Sequence, residues 1–131
     1  MSHFTNVETK IKNLVALKAA LKDLGYEFAE AEQGVEVRGY LGQKTKADLC
    51  IKASKTYDIG VQATDKGYVF VADWWGVETT RGVTQEEFVK TVTQRYAYHV
   101  VMSEIARQGY TIETDEVKTD QTISITVRKW Q

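Results

Sequence analysis

The sequence predicts an α+β domain: a mostly antiparallel sheet of about seven or eight strands with two α-helices packed on one face. Three observations predict it. Two stretches repeat apolar residues at helical spacing between start and stop signals, most other segments alternate with a period of two, and short polar reversals join neighbouring strands.

The first helix is "NLVALKAALKDLG". Asn13 is its N-cap, Leu14, Leu17, Leu21 and Leu24 recur on one face, and Gly25 supplies the left-handed position after the end. Lys18 and Lys22 fall on the opposite, solvated face. The second helix opens on "VTQEEF", a capping box in which Thr84 reaches the N3 amide and Glu87 reaches back, with Val83 and Phe88 as the staple. It runs to Gln108 and stops at Gly109, a span of about 36 Å at 1.5 Å per residue.

Strands are read at "FTNVETKI", "YEFAEA", "GVEVRGY", "ADLCIKA", "DIGVQAT", "GYVFVAD", "YTIETDE" and "TISITVRKW". "TDKG", with Gly67 free to take positive φ, is a tight hairpin turn, and "SKT" and "GQKT" are further reversals. An internal echo suggests a pseudo-two-fold repeat of strand, helix and hairpin. In each copy a helix ends at Gly25 or Gly109, and Tyr26 or Tyr110 opens a strand. A second strand then closes on Val37, Arg38 and Tyr40 or on Val127, Arg128 and Trp130. Residues 1–131 read as one domain, because no linker composition interrupts them.

Composition narrows the function by exclusion. A formal net charge of −1 with 27% charged residues gives no general attraction to nucleic acid, and no basic stripe with interleaved aromatics is present. No apolar run approaches the roughly 20 residues of a membrane span, and the start lacks the apolar core of a secretory signal. With the lone Cys50, this reads as a reducing compartment, the cytosol or a plastid stroma. No zinc, metalloprotease, nucleophile-elbow or phosphate-loop motif is found, so neither metal nor cofactor is expected.

Two features remain. In "VTQRYAYHVV", Arg95, Tyr96, Tyr98 and His99 occupy the apolar arc of the second helix or its edge. A buried arginine or histidine needs partners. Either these residues form a satisfied polar cluster that seats the helix, or they line a small-molecule or catalytic pocket beneath it. In "DWWGVETTRG", read as a loop, Trp74 and Trp75 point opposite ways in an extended chain, so one joins the core. The other is a candidate anchor for a protein partner, with Trp130 as a possible addition.

"MSHF", "RGY.G" (Arg38 to Gly42), "YDIG" (Tyr57 to Gly60), "VTQRYAYH", "QGY" and the closing Val-Arg-x-Trp together resemble the conserved chloroplast open reading frame thirty-five family of cyanobacteria and plastids. The resemblance covers nearly the whole chain and is weakest over "DWWGVETTRG". It implies no reaction. It does imply a protein partner, an AAA-type ATPase being the one it suggests. The expected function is a non-enzymatic protein-binding or assembly module. The alternative is the pocket at Arg95, Tyr98 and His99, while the oligomeric state stays open.

Overall fold

Period-two alternation places Leu49, Ile51, Ile59, Val61, Phe70 and Ala72 on one face of a sheet, and all six are buried there. The computed structural model describes residues 4–39, 42–117 and 123–129. Its elements are β1 (Thr5–Glu8), α1 (Leu14–Asp23), β2 (Glu27–Arg38), β3 (Lys44–Lys52), β4 (Asp58–Thr64) and β5 (Gly67–Ala72). After these come α2 (Trp74–Arg81), α3 (Gln85–Arg107), β6 (Tyr110–Val117) and β7 (Ile123–Lys129). The α+β class stands.

Strands β1 to β5 form an antiparallel sheet in the order β1-β5-β4-β3-β2. β2 to β5 are thus a simple meander, while β1 is added outside β5. The chain leaves β1 at one edge and enters β2 at the other. That crossing covers four strand spacings, roughly 19 Å, and α1 makes most of it. Leu17 and Leu21 of α1, Val77 of α2 and Phe88 and Val92 of α3 pack onto the same sheet face. Phe88 is the hub, with the rings of Phe70, Tyr26 and Trp74 at 5.2, 5.5 and 5.8 Å between centroids. On the other face Val37, Ala47 and Cys50 form a smaller buried cluster with Phe4 and Val35.

The helix limits follow the caps read from the sequence. Asn13 accepts from the Ala16 amide and Thr84 from the Glu87 amide, and Gly25 and Gly109 adopt φ of 82° and 83°. The Glu87 carboxylate takes the Thr84 hydroxyl at 3.2 Å, so this half of the capping box closes on the side chain. Lys22 is exposed, as expected, with its Nζ 6.0 Å from the Phe28 ring centroid, while Lys18 is half-buried and pairs with Glu30. Both tie α1 to β2.

Three expectations need correction. "YEFAEA" and "GVEVRGY" are one strand, β2, and not a hairpin. Between the pairs Glu30–Leu49 and Val35–Ala47, residues 31–34 oppose Asp48 alone, and Gly34 at φ 89° absorbs the bulge. The strands therefore number seven among the described residues, and they are split between a five-stranded sheet and a separate β6-β7 hairpin. With one copy lacking a hairpin and the other holding it apart, the strand-helix-hairpin repeat sharing one sheet is not formed.

The third concerns "DWWGVETTRG", which is helix α2 and not a loop, making three helices. Asp73 caps its start by accepting from the Gly76 amide at 3.2 Å, and Gly82 at φ 84° ends it. At Gly76 the helix backbone lies against the Tyr57 ring, where an added Cβ would fall 1.9 Å from Cε1. The "TDKG" turn is as expected: Thr64 pairs with Gly67, which has φ 129° and close backbone neighbours in Thr9 and Ile11.

Candidate functional site

The arginine and the histidine of "RYAYH" converge on a residue that no local pattern singles out. Asp23 is the last residue of α1, and its Oδ2 accepts from Arg95 Nε at 2.6 Å and meets His99 Nε2 at 2.5 Å. Arg95 also stacks 4.1 Å from the Tyr98 ring centroid, whose ring meets that of His99 edge-on at 5.2 Å. Tyr96 turns to the other end of α1, where its hydroxyl accepts from the amides of Lys12 and Asn13, both at 3.1 Å. One turn of α3 therefore holds both ends of α1. The polar heads face α1 and not the sheet, and they are partly solvated, the Arg95 and His99 side chains being 29% and 24% exposed.

Partial burial pushes the Asp23 carboxyl up, but the hydrogen bonds from Arg95 and His99 and their charges outweigh it, so its pKa lies below the ordinary value. A carboxylate at a helix C-terminus meets the negative end of the dipole. The Arg95 cation offsets that penalty.

The two tryptophans separate as expected, by a different geometry. On a helix, adjacent residues are about 100° apart. Trp74 turns inward and is buried, its indole N–H donating to the Thr5 carbonyl at 3.2 Å. Trp75 turns outward and is 56% exposed. It borders an open groove of about 910 Å³, lined by Val7, Trp74, Glu78, Glu86, Val89 and Lys90 among others. Trp130, the possible addition to this patch, and Tyr40 lie outside the described residues.

A third constellation was not read from spacing, although its residues sit in the "RGY" and "YDIG" stretches. Asp58 is 1% exposed. It accepts from the Arg38 backbone amide, Nε and Nη2, each at 2.9 Å. Burial pushes the Asp58 carboxyl up, but Arg38's side-chain and backbone hydrogen bonds pull it net below the ordinary range. Cys50, beside them, is buried, and burial with the Asp58 charge raises its thiol to about 11. This thiol is a protonated core side chain at neutral pH. Asp73 is also buried, and its Oδ2 has no hydrogen-bond partner among the described residues.

With this geometry in place, relatives give it a lineage. A family profile described as a protein of unknown function, DUF1257, matches residues 20–126. The chain belongs to that family. It is 31% identical over 133 residues to the uncharacterized protein ycf35 of Cyanophora paradoxa, covering 100% of this chain and 99% of that one. The protein of the same name from Guillardia theta is 32% identical over 137 residues, covering 100% and 99%. That of Pyropia yezoensis is 31% identical over 136 residues, covering 99% and 98%. The resemblance drawn from "RGY.G", "YDIG" and "VTQRYAYH" is thereby shown. No solved structure matches the chain. Among the described residues, no helix is long and apolar enough to cross a membrane.

Proposed function

We propose that the protein is a non-enzymatic binding module of the cytosol or plastid stroma that docks a protein partner through the Trp75 groove. The exposure of Trp75 carries this reading. A large aromatic side chain left 56% exposed at the mouth of a groove, beside a tryptophan already in the core, is a ready anchor. Val7 and Val89 supply apolar walls, and Glu78 and Glu86 outnumber Lys90 on the rim. The occupant this favours is a partner segment with one apolar side chain and a basic neighbour. Arg95, Tyr96, Tyr98 and His99 enter as the clamp that seats α1 on α3, because the polar heads of Arg95, Tyr96 and His99 have partners in α1 or its N-terminal cap and the Tyr98 ring backs Arg95.

The test is site-specific photo-crosslinking in cells from position 78, an exposed residue of the same groove, with position 15 as control, since Val15 is also exposed but lies on α1. A purified AAA-type ATPase is the first bait for binding in vitro. A crosslink specific to position 78, lost in Trp75→Ala at an unchanged melting temperature, is the expected result. Capture that is indifferent to Trp75→Ala removes the groove as the docking site.

A further inference from the structure

The turn Ser54–Thr56 between β3 and β4 is tied down more completely than a surface reversal needs. Arg38 Nη1 and Nη2 donate to the carbonyls of Lys55 and Ser54, at 2.7 and 3.4 Å. The Ser54 hydroxyl accepts from the amides of Thr56 and Tyr57, at 3.4 and 3.1 Å, and from the Thr80 hydroxyl at 2.9 Å. Asp58 in turn holds Arg38. Burying an ion pair is costly and is not by itself a source of stability. Here its geometric effect is a rigid loop, and rigidly placed loops are where binding groups are presented.

What the loop presents is cationic. With α2 it borders an open cleft of about 780 Å³, lined by Ser54, Lys55, Thr56, Thr80, Arg81 and two aliphatic residues. No carboxylate lines it, whereas the other two described grooves carry acids. Among the described residues neither Lys55 nor Arg81 has an ion pair. Arg81 rests 4.3 Å from the Tyr26 ring centroid and uses one N–H, toward the Ala53 carbonyl at 3.3 Å. Among the described residues its other donors have no hydrogen-bond partner. The C-terminal end of α2 contributes only about half a negative charge, against two full cations.

We infer that this cleft binds the phosphate group of a small phosphorylated molecule, with Lys55 and Arg81 as its counter-charges and the Thr56 hydroxyl as a further donor. A phosphate's acceptor oxygens match an arginine fork and an ammonium. The cleft volume falls in the range of small-molecule sites and exceeds what a bare phosphate fills. Ala53 and Val83 form the wall for the organic part. This inference is independent of the Trp75 groove.

The test is an amide-resolved NMR titration of the full chain at constant ionic strength. The probes are inorganic phosphate, pyrophosphate and adenosine monophosphate, with chloride as control. Saturating shifts confined to residues 54–57 and 80–83 are expected, with the monoester binding more tightly than inorganic phosphate. Lys55→Ala, at an exposed position, should weaken binding about tenfold, the loss of one charged contact, at an unchanged melting temperature. Lys55→Glu should abolish it. Equal affinity for phosphate and the monoester would place a bare ion there and overturn the organic half of the inference. No saturating shift with any probe, or binding indifferent to both Lys55 variants, overturns the whole.

Discussion

Asp58→Asn is the sharpest test of the buried pair. The carboxylate is 1% exposed and takes three hydrogen bonds of 2.9 Å from Arg38. Asparagine keeps the shape, but one end becomes an NH2 group, so at least one Arg38 donor faces another donor. Breaking a buried pair costs about 3–5 kcal/mol. The Arg38 side chain is 38% exposed and its charge finds water, which favours the lower end, about 3 kcal/mol. For a chain of this length that lowers Tm by roughly 10–15 °C at neutral pH. The pH dependence has a definite sign. Because the folded Asp58 pKa is lowered, its contribution is complete above the ordinary carboxylate range and is lost as pH falls through the lowered value. Thermal melts of both proteins by circular dichroism should therefore converge on acidification. A neutral-pH difference under about 2 °C, or a gap that does not narrow in acid, would refute the reasoning.

Three further outcomes are expected. Thr84→Ala removes the N-cap of α3 and should cost about 1 kcal/mol in a melt; no change would mean that the cap contributes nothing. Gly76→Ala drives a methyl into the Tyr57 ring and should cost about 1–3 kcal/mol or more. Arg95→Met should cost only about 1 kcal/mol, because the pair is partly solvated, while the Asp23 carboxyl titrates at higher pH. Carbon-13 NMR of that carboxyl reads the shift directly, and an unmoved titration would disconnect Arg95 from Asp23.

What could be read in one dimension is the set of features written in neighbouring residues. Asn13, Gly25, Thr84 and Gly109 mark their helix ends because capping is local chemistry. β4 and β5 were legible from the turn between them and from their apolar residues, although both faces are buried over residues 58–61 and 69–72. α2 does not stand out in the sequence although Asp73 and Gly82 bracket it, since Gly76 and its β-branched residues lower helix propensity. β2 reads as two strands because Gly34 looks like a turn, and only its pairing with β3 shows a bulge. For the site, the position of "RYAYH" on α3 was legible and its target was not. Asp23 is 72 residues from Arg95, and no periodicity connects them. Likewise Arg38 and Asp58 are 20 residues apart and meet only after β2, β3 and β4 have assembled.

The edge position of β1 has a kinetic corollary. β2 to β5 can zip by successive hairpins of short span, but Thr5 pairs with Ala72, so β1 must wait for nearly 70 residues more to be synthesised before its partner exists. Contacts of such long sequence separation close late and slow the search. The fold supplies its own reporter of that event, because the Trp74 indole donates to the Thr5 carbonyl. In a variant where Trp75 and Trp130 are replaced by phenylalanine, stopped-flow emission from Trp74 should lag the far-ultraviolet signal of the helices. If the two signals rise together, β1 docks within the nucleus and not after it.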